Sequence, residues 1–201
     1  MWPWEHLAFG YLLYSGSVRL RRTGPPTDVA VILLLFATQL PDLVDKPLAW
    51  TLGVLPTGQS LGHSLLFALP FIGLVSVVAR RFAAPEYAIA IAIGYLSHLA
   101  GDVVYWVFRG GGLTVGFLLW PLVPARPVGP MGFFTKFTEL LATFLAFLAT
   151  PLGRSYLLLE SAFLGAALLV WLVDGRPGLP WHLFGANRDG SARRAESKRD
   201  S

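Results

Sequence analysis

The chain contains no cysteine and few charged residues. Lysine and arginine contribute 16 of its 201 residues and aspartate and glutamate contribute 12, so 14% are charged, whereas ordinary soluble domains carry about 25%. The lack of cysteine excludes disulfides, thiolate metal sites and cysteine nucleophiles. The net charge of +4 comes from short basic clusters between apolar runs and in the tail, so we expect no nucleic-acid partner.

Apolar residues are abundant instead. Hydrophobic residues make up 54% of the chain, and the mean hydropathy is +0.57. A water-soluble fold of this length would leave much apolar surface exposed to water. The composition therefore predicts a multi-pass protein of the cell membrane, with the lipid bilayer as its partner.

Six apolar segments predict an all-α, polytopic bundle of transmembrane helices. They lie at about residues 4–18, 28–44, 61–79, 86–108, 132–150 and 155–173. A seventh run, within GGGLTVGFLLWPLVPARPVGP, is too short to cross a core of roughly 30 Å, and its glycines and prolines favour a re-entrant or interfacial hairpin. We therefore expect about five to seven membrane segments, one of them re-entrant, in a single domain at residues 1–174. A polar, partly disordered tail would follow at residues 175–201.

Basic clusters predict which helix ends face the cytoplasm. Arg19, Arg21 and Arg22 follow the first segment, and Arg80 and Arg81 close the third. These ends are assigned to the inside, which places the N-terminus outside. With six crossings the tail returns to the outside despite its basic residues, whereas a crossing by the Trp-Pro hairpin would place it inside. Both alternatives remain open at this stage.

Histidines and aspartates of four segments recur at one depth. At about 1.5 Å per helical residue, each lies roughly 18–25 Å from the inner end of its segment. These residues are His6, Asp42, Asp45, His63, His98 and Asp102. The inner half of the same segments carries almost no ionisable residue. The sequence thus predicts one layer of ligand-type side chains in the outer half of the membrane.

Each of these residues alone has an ordinary structural explanation, such as a helix cap or a hydrogen bond between helices, and His6 is the one that such a role explains best. Together they indicate a metal site. A carboxylate at mid-membrane costs about 2.5–3.5 kcal/mol, so intramembrane ionisable groups usually mark function. His98 and Asp102, at i and i+4, face one side of a helix and can share one cation. Imidazole with carboxylate suits zinc, with manganese or iron as alternatives.

The order of these motifs resembles a known family, the membrane-bound, metal-dependent hydrolases related to YdjM and described as LexA-regulated. The resemblance covers roughly residues 1–125 and rests on His6 with Gly10, LPDLVDKP, GHSLL, SHLAGD and LLWPL. A looser similarity exists to the first metal site of zinc-dependent phospholipases C and related nucleases, whose second His-x-x-x-Asp/Glu is missing here. The chain also has Gly58, Gln59 and Ser60 where the family often has His-Arg-Gly, and it lacks the histidine that often follows Pro-Asp-x-Asp. Both departures favour one metal ion over two.

These features predict a membrane-embedded, metal-dependent hydrolase that acts on a phosphoester or another ester at the outer membrane surface, with a phospholipid among the candidate substrates. A divalent cation held by Asp42 or Asp45, His63, His98 and Asp102 would lower the pKa of a water. The spare carboxylate of the Asp42/Asp45 pair would then serve as general base or as a partner that orients a ligand.

Three basic residues on the same side of the membrane are candidates for binding the phosphate of a substrate. They are Lys46, Arg109 and Arg126, although solvated loop positions explain them at least as well. Lys136 and Glu139, at i and i+3, are expected to pair with each other. His182 has no partner nearby in the sequence and is interpreted as an interfacial residue.

Two other functions remain open, a divalent metal transporter or sensor and a structural protein without catalysis. Transport needs polar groups in both halves of the membrane, and the nearly apolar inner half favours a one-sided site instead. In a structural protein the polar residues would only join helices, at about 0.6 kcal/mol per contact. That alternative predicts no bound metal.

Overall fold

The computed structural model describes residues 1–179, and every regular element within that range is a helix. The α-helices are α1 (Pro3–Arg21), α2 (Asp28–Ala37), α3 (Leu40–Lys46), α4 (Leu65–Arg81), α5 (Pro85–Phe108), α6 (Phe133–Leu148) and α7 (Pro151–Val173). A π-helical turn (Pro47–Thr51) continues α3, and a short 3-10 helix (Gly116–Leu119) lies between α5 and α6. The all-α prediction is confirmed for this part of the chain.

The second predicted segment, residues 28–44, is two helices rather than one. α2 ends at Ala37, and α3 begins at Leu40. In a continuous helix Pro41 would have no N–H to donate to the Ala37 carbonyl and its ring would clash with that group. The break removes this conflict, and it places the carbonyl of Thr38 where another helix can reach it.

α5 lies at the centre of the bundle, where it contacts α1, α2 and α4. Two glycines let the backbones approach closely. A Cβ at Gly94 of α5 would lie 2.7 Å from a backbone oxygen of α2, and a Cβ at Gly10 of α1 would lie 2.5 Å from Thr38 Cγ2. Small residues at such contacts are typical of membrane helices. The next two turns of α5 carry His98 and Asp102, which are buried as a result.

One end of the bundle, which we call the basic end, carries the RLRR cluster. There Asp174, directly after α7, accepts hydrogen bonds from Tyr11, Ser15 and Arg19 of α1, the last at 2.6 Å. Burial favours the neutral carboxyl, but these hydrogen bonds and the guanidinium hold the pKa of Asp174 below its ordinary value. α7 therefore ends at the basic end.

α6 does not cross the bundle, although residues 132–150 were predicted as a membrane segment. At its start, the N–H of Gly132 donates to the Trp50 carbonyl at 2.9 Å. At its finish, the Phe147 ring lies 4.4 Å from the Arg109 guanidinium. Trp50 and Arg109 both lie opposite the basic end, at what we call the site end. α6 therefore lies across the site end, and its apolar residues misled the hydropathy argument.

The hairpin between α5 and α6 also starts and finishes at the site end. The Ser64 hydroxyl donates to the Trp120 carbonyl, and the N–H of Val128 donates to the Pro56 carbonyl at 3.0 Å. These contacts join the hairpin to the loop before α4. Its path agrees with the predicted re-entrant or interfacial hairpin rather than with a crossing.

Among the described helices, only α5 and α7 are long and apolar enough to cross a membrane alone. The prediction of about five to seven membrane segments is therefore not confirmed. α4 has 17 residues and α2 has 10. α2 ends and α4 begins near the site end. His63 lies just before α4 and Asp42 lies after α2, so the polar cluster occupies the positions that additional turns of these two helices would take.

The contact between Asp174 and Arg19 bears on the side of the tail. It places the end of α7 beside the RLRR cluster, and the positive-inside rule assigns that end to the cytoplasm. The chain returns there because α6 stays at the site end. Most of the predicted tail, with His182, lies outside the described residues.

Since the chain has no cysteine, a single introduced cysteine is the only thiol that a maleimide can label, and its labelling reports this orientation. We expect Thr114→Cys, in the hairpin at the site end, to react with a membrane-impermeant maleimide added to intact spheroplasts. Thr23→Cys, at an equally exposed threonine of the basic end, should react only after the membrane is permeabilised. The reverse labelling pattern would contradict the orientation.

Candidate metal centre

Ligand-type atoms of four side chains lie around two facing imidazole nitrogens at the site end, and those of Asp42, His63 and His98 are close enough to hold one ion together. Asp42 belongs to α3, His63 to the loop before α4, and His98 and Asp102 to α5. The Nε2 atoms of His63 and His98 are 3.0 Å apart. Each of these nitrogens lies 3.3–3.8 Å from Asp42 Oδ1 and from Asp102 Oδ2. Residues 60 positions apart in the sequence thus meet around one small volume.

The break between α2 and α3 orients the His98 ring. Nδ1 of His98 lies 2.6 Å from the carbonyl oxygen of Thr38. A carbonyl only accepts hydrogen bonds, so Nδ1 carries the proton. In the neutral imidazole Nε2 is then unprotonated, and it faces the cluster.

Asp45 orients the His63 ring in the same way. Its fully buried carboxylate lies 2.8 Å from Nδ1 of His63 and also accepts the backbone N–H groups of Ser60, Gly62 and His63. A carboxylate behind a metal-binding histidine fixes the tautomer and raises the basicity of the other nitrogen. Asp45 therefore lies behind His63, and its oxygens do not join the four-atom cluster.

The charges around the cluster favour a cation. Two unprotonated nitrogens that face each other at 3.0 Å repel, and a proton or a metal ion between them relieves that repulsion. Asp42 and Asp102 add negative charge beside them, although one oxygen of each is already paired, with Lys46 and with the N-terminal ammonium respectively. Carboxylate oxygens of Asp42, Asp45 and Asp102 lie within 3.5 Å of the His63 ring, and their negative charge favours a positive group beside it. The surroundings of His63 thus attract positive charge.

The spacing and the donors fit a divalent metal ion. Ligands on tetrahedral bonds of about 2.0–2.2 Å lie about 3.3–3.6 Å from one another. The separations between nitrogens and oxygens in the cluster, 3.3–3.8 Å, bracket that range. Two imidazoles with two carboxylates suit zinc, and they suit manganese or iron as well.

His6 adds a second, overlapping group of possible ligands. Its ring stacks on that of His98 at 3.7 Å between centroids, and its Nε2 lies 3.3 Å from Asp102 Oδ1. Both ring nitrogens are buried without a hydrogen-bond partner. His6, His98 and Asp102 lie close enough to hold one ion together. His6, for which the sequence favoured a structural role, therefore lies directly beside the cluster.

A cavity of about 1150 Å³ leads from the site end to the cluster. Asp42 and Asp102 line it, together with Lys46 and Arg109, two of the three predicted phosphate-binding residues. Lys46 forms an ion pair with Asp42. Arg126, the third, is not among the residues that line the cavity.

Gln59 is a polar contact of the cluster that sequence reasoning missed. Its side-chain amide donates to Asp102 Oδ2 at 2.7 Å, and it lines the cavity. The sequence argument treated Gln59 and Ser60 only as missing ligands. Their position three or four residues before His63, in a loop rich in glycine and hydroxyl groups, was the available signal.

Other polar residues near the cluster or in the later helices have structural roles. Lys136 pairs with Glu139 at 3.0 Å, as predicted. Ser64 caps α4, and Ser97 bonds to a carbonyl of its own helix. Glu160 accepts a hydrogen bond from Trp4 on the far side of α1. None of these residues belongs to the metal-ligand groups found among the described residues.

Comparison with known proteins gives one match. The model of a family described as YdjM inner membrane protein matches residues 1–177. No curated protein and no solved structure matches the chain. The similarity to zinc-dependent phospholipases C is not shown by these comparisons.

Proposed function

The chain belongs to the YdjM inner membrane protein family, and we propose that its buried histidines and aspartates form the centre of a metal-dependent hydrolase. The substrate would be a phosphoester or another ester at the outer membrane surface, and residues 1–174 would form the single membrane domain. The observation that carries this proposal is the 3.0 Å approach of two imidazole nitrogens beside two carboxylates.

We assign the cation to His63, His98, Asp42 and Asp102, with zinc as the first candidate and manganese or iron as alternatives. When bound, such a cation polarises an ester oxygen and lowers the pKa of a water towards neutrality. Such a cation requires imidazoles with unprotonated Nε2 atoms and ionised carboxylates, and the Thr38 carbonyl and Asp45 hold the remaining proton of each imidazole at Nδ1. A cation here also offsets the cost of burying Asp102 in the membrane.

The two aspartates of LPDLVDKP have different roles in this proposal. Asp45 is enclosed by four donors and does not line the cavity, so it orients His63 and exchanges no proton with a substrate. Asp42 lines the cavity, and its Oδ2 pairs with Lys46. We therefore keep Asp42 as a ligand of the cation through Oδ1, with Lys46 holding its other oxygen.

A transporter is less well supported than a hydrolase. Between the cluster and the basic end, the bundle is filled by a packed core that includes Tyr14, Val31, Leu34 and Ala90. A path for ions requires polar groups or a cavity through that layer. The described residues offer access only from the site end, which suits chemistry at one surface.

Hydrolysis by the purified protein tests the proposal. In detergent with added Zn²⁺ or Mn²⁺, we expect release of p-nitrophenolate from bis(p-nitrophenyl) phosphate, p-nitrophenyl phosphate or p-nitrophenyl butyrate. Asp102→Asn should reduce the rate about 100-fold or more, because it removes charge from the metal centre. Asp174→Asn, at a carboxylate of the basic end, is the matched control and should retain the rate.

Two outcomes would overturn the hydrolase. One is a rate that neither a chelator nor Asp102→Asn reduces. The other is uptake of the cation into vesicles that contain the protein without hydrolysis of any ester, which would favour the transporter.

A further inference from the structure

The cavity contains an unneutralised positive charge. Among the described residues, three basic side chains line it. Lys46 is paired with Asp42, and Lys136 is paired with Glu139. Arg109 has no described carboxylate within ion-pair distance. A guanidinium in this situation is suited to bind an incoming anion.

Aromatic groups hold the Arg109 side chain in place. Its guanidinium lies 4.4 Å from the Phe147 ring and 5.4 Å from the Tyr105 ring, and Nη1 donates to the Tyr105 hydroxyl at 3.2 Å. Stacking uses the faces of the guanidinium and leaves its remaining N–H groups available. The side chain is thus positioned before any ligand arrives, which lowers the entropy cost of binding.

α6 forms an apolar wall between this cavity and the surroundings of the protein. Phe133, Phe137, Leu140 and Phe144 line the cavity, and their spacing places them on one face of the helix. Phe134, about a quarter-turn round the helix from this stripe, is 81% exposed, whereas Thr135, Thr138 and Glu139 lie on the opposite face. The apolar side of α6 thus lines the cavity and extends round to an exposed phenylalanine at the membrane end of the bundle, which suits a cavity filled with hydrocarbon.

The distance between the cluster and Arg109 limits the ligand. Arg109 directly follows α5, seven residues after Asp102, which corresponds to about 10 Å along the helix axis. A molecule that reaches both therefore carries its negative charge within about 10 Å of the bond that meets the cluster. The headgroup of a lipid has these dimensions.

We infer that the substrate of the proposed hydrolase is a phosphate-bearing amphiphile that enters from the membrane, with its phosphate at Arg109 and its hydrocarbon chain along α6. The part of this inference that makes the ligand a substrate rests on the proposed hydrolase function. The binding of the ligand depends only on the cavity. The cavity volume, about 1150 Å³, exceeds the 300–1,000 Å³ or so of common small-molecule sites.

Lipid binding measured in the presence of a chelator tests the inference without any contribution from a metal ion or from catalysis. The probes are dioctanoyl phosphatidic acid with a fluorescent chain and the diacylglycerol with the same chains. We expect Arg109→Gln to weaken binding of the phosphatidic acid about tenfold or more and to leave the diacylglycerol unchanged. Arg109→Lys should recover part of the loss, and Arg154→Gln, which does not line the cavity, should have no effect.

Three results would overturn the inference. The first is equal binding of phosphatidic acid by the wild type and by Arg109→Gln. The second is equal binding of both lipids by the wild type. The third is glycerol 3-phosphate binding as tightly as phosphatidic acid, which would identify a free phosphoester as the ligand. If the protein binds the lipid but hydrolyses no ester, the lipid-binding site is supported and only the proposed hydrolase activity is refuted.

Discussion

Replacement of His98 by alanine is expected to abolish stoichiometric binding of a divalent cation. His98 belongs to both groups of possible ligands, and its Nε2 lies within 3.8 Å of three other donor atoms of the cluster. Loss of a partner behind a ligand already weakens metal affinity about 10- to 100-fold, so loss of the ligand itself should weaken it about 100-fold or more. Elemental analysis of the protein purified in detergent measures the effect as metal per chain.

The control for this experiment is the histidine that was not predicted as a ligand. His182→Ala removes the same side chain and should leave the metal content at the wild-type value. Size-exclusion chromatography in detergent shows whether the His98→Ala protein remains monodisperse. A His98→Ala protein that is folded and still carries one cation per chain would contradict the proposed ligand set.

Substitution of Asp45 by asparagine is expected to lower both stability and metal affinity. The buried carboxylate accepts three backbone N–H groups and the His63 Nδ1 proton, and an asparagine would turn an NH₂ group towards some of these donors. A buried donor left unsatisfied costs about 1–3 kcal/mol, so we expect the free energy of unfolding to fall by about 2–4 kcal/mol. Metal affinity should fall about 10- to 100-fold because His63 loses its orientation.

Asp42→Asn is the matched control because it makes the same chemical change three residues earlier. Asp42 has no backbone N–H partner among the described contacts and pairs with Lys46 at the cavity. Its substitution should weaken metal binding about 100-fold or more and lower the free energy of unfolding by less than Asp45→Asn does, because no backbone N–H loses its acceptor. Thermal unfolding with a chelator present, together with metal titration, separates the two effects. If Asp45→Asn lost the metal while keeping its full stability, Asp45 would be a ligand and not an orienting residue.

The meeting of Asp42, His98 and Asp102 followed from the sequence because the rise of a helix is constant. Counting residues from the inner end of each segment gave each of them nearly the same depth, and in a small helix bundle polar side chains at one depth face the interior, where they can meet. The i, i+4 spacing of His98 and Asp102 likewise needed only helix geometry.

The sequence did not show which of Asp42 and Asp45 faces the cluster and which one lies behind His63. That difference depends on the loop before α4, which wraps its N–H groups around one of the two carboxylates, and no periodic pattern describes such a loop. His63 was placed inside a predicted helix, whereas it lies just before the start of α4. Gln59 belongs to the same loop and was missed for the same reason.

The position of α6 shows a limit of hydropathy. Its 16 residues are apolar enough to be taken for a membrane segment, since composition reports which solvent a helix prefers and not its direction. The contacts of α6 with Trp50 at one end and Arg109 at the other, which are distant in sequence, decide that it lies across the bundle.

X-ray absorption at the metal edge of the loaded protein tests the metal centre most directly. The arrangement of His63, His98, Asp42 and Asp102 predicts a shell of nitrogen and oxygen at about 2.0–2.2 Å with the multiple-scattering pattern of imidazole. That imidazole signal should fall by about half in the loaded His63→Ala protein. A shell of oxygen alone, with no imidazole scattering in the wild type, would contradict a cation bound between the two histidines.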